Sequence, residues 1–206
     1  PDVLLLDEPT ASLDADTTAR VEALLSRTLA ADDCAVVAVT HDRDQADRLG
    51  DRTLEVLHTP GHAEHHVALW HEGSGTLFSG DLVSENDHFQ YGPLYGDVRA
   101  YRASLERGRD LEPVRLVPMH GPELPDAEAR IESSLSNVDR TADRLHTATV
   151  DRGECWARDL AREALGASET DAPFMTLVTY EYLRYLERDG RLRFDVSEEG
   201  IRVFAG

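Results

Sequence analysis

The period of the apolar positions changes several times along this chain, and each change marks an element. Val3-Leu4-Leu5-Leu6 and Ala35-Val36-Val37-Ala38-Val39 are short continuous apolar runs, the pattern of strands covered on both faces. Between them Ala19, Val21, Leu24, Leu25 and Leu29 recur at helical spacing, with Asp14 or Asp16 placed to cap. This order predicts a parallel β-α-β unit. A short helix over 43–49 and a strand over 53–57 follow. Strands over 66–70 and 75–79 flank Glu72-Gly73-Ser74-Gly75 and predict a hairpin. Helical character returns over 97–109, where Tyr101 and Leu105 lie four apart, and 114–119 reads as a strand. From Asp126 to about Val150, one stripe of Ile131, Leu135, Val138, Ala142 and Leu145 predicts a long polar helix. The tail predicts a helix from Cys155 to Leu165, a second from Met175 to Arg188, and short strands around 191–194 and 200–204. Helices followed by a small hairpin are the outline of a winged helix.

Composition narrows the functional classes. At 206 residues the chain holds one domain or two small ones. The formal net charge is −19, and all 21 basic residues are arginines. Such acidity disfavours non-specific binding to nucleic acid or anionic membrane, but leaves room for a nucleic-acid substrate at a local metal site. Cys34 and Cys155 lie far apart and read as buried thiols of a reducing, cytoplasmic compartment. No apolar run approaches about 18 residues, so no direct membrane insertion is expected. The chain opens at Pro1 inside a strand pattern, which reads as a fragment. Neither substrate nor oligomeric state is legible.

Candidate chemistry falls in two places. The first strand run ends in Asp7-Glu8, followed by Pro9-Thr10, Ser12-Leu13-Asp14 and Val39-Thr40-His41-Asp42. An acidic pair at a sheet's carboxyl edge suits Mg²⁺ and the activation of an attacking water. Residues 1–56 resemble the C-terminal half of an ATP-binding-cassette ATPase. By that resemblance Asp7 is the Walker B aspartate, Glu8 the catalytic glutamate, Asp14 part of the D-loop and His41 the switch histidine. Phosphate binding in such enzymes needs a loop of the form GxxxxGK[ST], which a chain without lysine cannot contain. The acidic pair is therefore expected to be a nucleotide-binding remnant that does not bind Mg-ATP.

The second place comprises His58-Thr59-Pro60-Gly61-His62, Ser79-Gly80-Asp81 and His120-Gly121-Pro122. Each follows a strand-type run at a turn, and imidazole with carboxylate suits Zn²⁺, Mn²⁺ or Fe. This pattern resembles the metallo-β-lactamase superfamily. The resemblance covers residues 51–206 and points to a subgroup with a C-terminal winged helix, among them lactamase-like endoribonucleases. It implies that His62 binds one metal, Asp81 bridges two and His120 binds the other, with zinc as cofactor and a small-molecule or nucleic-acid ester as substrate. The family's HxHxDH motif, which would supply further ligands, does not occur in this sequence. His58, His65, His71 and His88 read as turn or surface residues, and His66 as a packed one.

These readings predict an α/β fold: a parallel β-α-β unit joined to half of a metallo-β-lactamase αββα fold, then a winged-helix segment. The expected domains are 1–56, 57–124 and 125–206. A crossover or deliberate fusion within Leu49-Gly50-Asp51-Arg52-Thr53-Leu54-Glu55-Val56 would leave no local scar. Three functions stay open: an incomplete metal-dependent hydrolase, an ATP-binding subunit fragment, and a recombinant chain with no enzymatic role. Trp70 and Phe78 are expected to pack the hairpin. Arg184, Arg188, Arg191, Arg193 and Arg202 are expected to be largely cancelled by Glu181, Glu187, Asp189 and Asp195.

Overall fold

The computed structural model describes residues 3–31, 35–50, 52–85, 96–168 and 170–206. Cys34 and His88 lie outside the described residues. The chain divides into two compact units, Pro1–Leu54 and Glu55–Gly206.

In the first unit β1 (Val3–Asp7) pairs in parallel with β2 (Ala35–Val39), joined by α1 (Ala15–Ala31) and followed by α2 (Arg43–Leu49). Asp14 starts α1 by accepting from the Thr17 backbone N–H and hydroxyl, both at 2.9 Å. Asp42 caps α2 by accepting from Gln45 N at 3.1 Å. The Gln45 side chain is buried and donates to Thr10 Oγ1 and to Glu22, which also pairs with Arg48. One expectation fails here. The apolar runs do not mark strands covered on both faces, since Val3, Leu5, Val37 and Val39 are all exposed, Leu5 to 73%. Two strands and two helices offer too few elements to cover both faces of the sheet.

The second unit is built on a four-stranded sheet of order β3-β4-β5-β6: β3 (Glu55–His58), β4 (Val67–His71), β5 (Thr76–Gly80) and β6 (Arg115–Pro118). A single 3-10 turn, Glu72–Ser74, closes the β4–β5 hairpin, and Gly75 follows it in the left-handed region. β3 and β5 both run antiparallel to β4, and β6 runs parallel to β5. The carboxyl ends of β3, β5 and β6 therefore lie along one edge of the sheet. Trp70 packs into the core as expected, but Phe78 does not. Strand alternation buries Leu77 and Ser79 and turns Phe78 outward.

Helices α3 (Val98–Asp110) and α4 (Ala127–Arg152) pack on each other, and α4 buries the stripe Ile131, Leu135, Val138, Ala142 and Leu145. Beyond α4 come β7 (Glu154–Trp156), α5 (Ala157–Leu165), α6 (Ala172–Arg188), β8 (Leu192–Ser197) and β9 (Gly200–Ala205). Their three strands form an antiparallel sheet of order β7-β9-β8. Cys155 thus sits in a strand and not in the expected helix, because pairing with Val203 on β9 outcompetes local propensity. One hydrophobic core runs from Leu57 on β3 through Leu105 and Leu145 to Val203 on β9. No helix among the described residues is long and apolar enough to cross a membrane.

Candidate metal centre

The carboxyl edge of the four-stranded sheet carries all three candidate ligands. The turn after β3 holds His62, Asp81 directly follows β5, and His120 lies two residues beyond β6. The parallel register of β5 and β6, with a shift between Phe78 and Gly80, ends both strands side by side. Met119 N donates to Gly80 O at 2.9 Å, drawing the two turns together.

Helix α3 holds the other turn in place. Asp97 N donates to Gly61 O at 3.0 Å, and Ser104 Oγ to Pro60 O at 2.7 Å. Arg107 reaches His58 O at 3.2 Å. The Tyr101 hydroxyl donates to Leu82 O at 2.8 Å, beside Asp81, while the Tyr101 backbone lies against Gly61. One helix thereby grips the chain next to His62 and the chain next to Asp81. Gly61 permits this approach, since with φ at +133° a Cβ there would fall 2.2 Å from Tyr101 Cα.

Asp81 lies between the two histidines. Its Oδ2 is 3.7 Å from His62 Nε2 and its Oδ1 is 3.7 Å from His120 Nε2. His62 and Asp81 are each about a quarter exposed at the side chain, and His120 is 77% exposed. These spacings exceed a hydrogen bond. Two ligands about 2 Å from a common ion stand roughly 3.3 Å apart at a tetrahedral angle and further apart as that angle opens. The arrangement is nonetheless two pairs sharing one carboxylate, not a closed cluster. Among the described residues no group of three His, Cys, Asp or Glu side chains is set to hold one ion. Each side offers one imidazole and one carboxylate oxygen, fewer than the three or four protein ligands usual for zinc. The donors fit in kind and fall short in number.

Around these candidates lie further side chains, of which the sequence reading names His66 only as a packed residue and Glu85 and Ser104 not at all. His66 is half-buried, and burial pushes its imidazole below the ordinary value, with His62 nearby adding to the effect. Its ring contacts both Thr59 and the backbone of Asp81. Glu85 brings a carboxylate beside Gly121. Thr59, Tyr101 and Ser104 complete the scaffold. Of the other named histidines among the described residues, His58 Nε2 bonds Glu64 O, His71 bonds Ser74, and His65 is exposed.

At the first unit's sheet edge, Glu8 has φ of 47° and its carboxylate lies 3.0 Å from His41 Nε2. Thr10, Thr18, Thr40, Asp42 and Gln45 share an open recess with this pair. Asp7 ends β1 exposed. Asp14 is occupied as the start of α1, and the Thr17 N–H and hydroxyl hold its carboxyl below the usual carboxylate range.

The arginines of the C-terminal segment are mostly paired with acids: Arg184 with Glu181, Arg188 with Asp97, Arg191 with Asp143 and Arg202 with Glu154. Among the described residues these pairs offset four of the five arginines named from the sequence, with Glu181 the one partner expected there.

Comparison with known proteins places this chain in a family. The family model described as metallo-beta-lactamase superfamily matches residues 6–120, starting inside the first unit and ending on His120. A probable metallo-hydrolase of Bacillus subtilis, YqjP, is 38% identical over 97 residues, 43% of this chain and 30% of that protein. A beta-lactamase-like protein 2 homolog of Drosophila melanogaster is 28% identical over 151 residues, 71% of this chain and 49% of that protein. A phosphate import ATP-binding protein of Mycobacterium intracellulare, PstB, is 62% identical over 53 residues, 26% of this chain and 18% of that protein. The chain thus spans less than half the length of each of these relatives. A beta-lactamase domain protein from Burkholderia ambifaria shares the fold with a TM-score of 0.64 at 22% identity, over 77% of this chain and 49% of that one.

Proposed function

The chain belongs to the metallo-β-lactamase superfamily, and from that premise we propose that it carries part of a metal-dependent hydrolase centre. In this reading His62, Asp81 and His120 would hold the metal, with Asp81 the residue common to both histidines. The supporting observation is the shared carboxylate, each oxygen 3.7 Å from a different imidazole. Zinc is the proposed ion, because a mixed imidazole and carboxylate set suits it. A metal held there would lower the pKa of a bound water and polarise an ester. The chain's own contribution is orientation: α3 and the paired ends of β5 and β6 present the three side chains at one edge. The donor set among the described residues is too small to define a working centre, so no catalytic step is assigned. The substrate class proposed is a small-molecule or nucleic-acid ester, and the α5–α6 pair with its three strands is proposed as a winged helix.

Metal analysis of the purified chain, joined to thermal melting with and without zinc, tests this reading. Zinc is expected to raise the melting temperature, and Asp81→Ala to abolish that rise. A rise of equal size in Asp81→Ala, or no metal bound by the wild-type chain, would sink the proposal.

A second reading concerns the first unit alone. Its Glu8–His41 pair, and a 53-residue match to an ATP-binding protein about as long as Pro1–Leu54, support descent from an ATP-binding-cassette ATPase. On that reading the chain joins two lineages near residues 50–56, and its first unit keeps the acidic edge without a phosphate-binding lysine.

A further inference from the structure

Beside the candidate centre, the hydrogen bonds of His66 dictate where its proton sits. The Asp81 backbone N–H donates to His66 Nε2 at 3.0 Å. A backbone amide can only donate, so Nε2 presents a lone pair. The other ring nitrogen, Nδ1, lies 3.0 Å from the Thr59 carbonyl oxygen, which can only accept, and 2.8 Å from Thr59 Oγ1. Together these constraints leave one neutral tautomer, with the proton on Nδ1. The pairing is closed a second time through the backbone, where Thr59 N donates to His66 O at 2.9 Å. Gly80, just before Asp81, has φ of +57°, and a Cβ there would lie 2.6 Å from His66 Nε2. The chain carrying Asp81 can approach the ring this closely because that residue has no side chain.

We infer that His66 is a positioning residue, a tautomer-locked latch tying the turn that carries His62 to the turn that carries Asp81. It fixes the backbone from which the Asp81 carboxylate reaches both imidazoles. The inference rests on the hydrolase reading for what is positioned, and on hydrogen bonding alone for the latch. His66 is not itself a metal ligand, because both ring nitrogens are occupied by Thr59 and Asp81. Its ring meets that of His62 edge-on at 5.8 Å, close enough to pack against that side chain without competing for its role. Loss of a group that orients a ligand typically costs about 10–100-fold in metal affinity.

Two measurements on the full chain test this. Long-range proton–nitrogen NMR of the metal-free protein should show His66 protonated at Nδ1 and bare at Nε2. A ring protonated at Nε2 overturns the latch. Zinc titrations should then compare the wild type with His66→Gln and His66→Leu, with metal-free melting of each as the control. His66→Leu is expected to lose about 10–100-fold in zinc affinity. His66→Gln, whose amide oxygen can accept from Asp81 N–H, is expected to recover most of that loss at a similar melting temperature. A role confined to packing would lower the melting of both variants and leave zinc affinity unchanged, and that outcome overturns the inference. If His66→Leu does not fold, the tautomer spectrum and His66→Gln decide. If the wild type binds no zinc, the hydrolase reading fails, and the tautomer spectrum alone upholds or overturns the latch.

Discussion

At the scale of single residues, the site depends on small residues that let chain segments approach. Gly61 combines φ of +133° with a Tyr101 backbone that leaves no room for a methyl group. Gly61→Ala is therefore expected to cost about 3 kcal/mol or more of stability through strain and overpacking. Urea unfolding would measure this, and a loss under about 1 kcal/mol would show that α3 can yield. The three ligand candidates were visible in the sequence, because each stands beside turn residues at the end of a strand pattern. Their supports were not. Ser104 and Pro60 are 44 positions apart and meet through a hydrogen bond. Nothing local to a serine on a helical face signals that contact, and the same holds for the Tyr101 hydroxyl on Leu82 O. His66 was legible as a packed histidine. Its bond to the Asp81 backbone depends on how β4 and β5 align, which follows from the hairpin register and not from the histidine's own surroundings.

At the scale of elements, α3 joins the candidate centre to the C-terminal helices. Its capping residue Asp97 accepts from Ala100 N at 3.0 Å and from Arg188, on the last turn of α6, at 3.2 Å. Burial alone would push the Asp97 carboxyl up, but these donors and the Arg188 charge outweigh it and hold it below the usual range. A carboxyl lowered in the folded state contributes stability that is fully present above the unfolded value, about 3.9 for Asp. That contribution is lost as pH falls through the lower folded value. Asp97→Asn keeps a competent cap and removes the charge. The variant is expected to be less stable than wild type at pH 7, with the gap closing as pH drops below about 4. Urea denaturation across pH would show parallel curves if Asp97 plays no such part. Element type was most legible where periodicity was long: the predicted stripe of α4 is buried throughout. It was least legible where the apolar run was short. A five-residue strand with no polar alternation looks the same whether or not other layers cover it, and β1 and β2 are exposed. Cys155 was misplaced for a related reason, since a three-residue strand carries almost no pattern of its own.

At the scale of the whole molecule, the chain divides into two compact units, the family model runs from the first into the second over residues 6–120, and the ATP-binding relative matches 53 residues. What each part can still do is decided by the groups present. Among the described residues, the recess around Glu8 offers two carboxylates, Glu8 and Asp42, three threonines, a histidine and an amide, but no arginine or lysine. A triphosphate arriving there meets the negative edge of Asp7 and Glu8 in a chain whose formal charge is already −19. P-loop enzymes draw most of their phosphate contacts from a glycine-rich loop and its lysine, and this sequence contains no lysine. Hydrogen bonds to charged groups contribute about 1.5–3 kcal/mol each, so losing several removes most of the roughly 8 kcal/mol that micromolar binding requires. Mg²⁺ bridging Asp7 and the phosphates would offset part of the repulsion without replacing the cradle. Calorimetry with Mg-ATP is therefore expected to show no binding at micromolar concentrations, and Glu8→Gln to change nothing in that titration. A micromolar dissociation constant, or ATP turnover lost in Glu8→Gln, would show that the acidic edge still works and would move the function of this chain to its first unit.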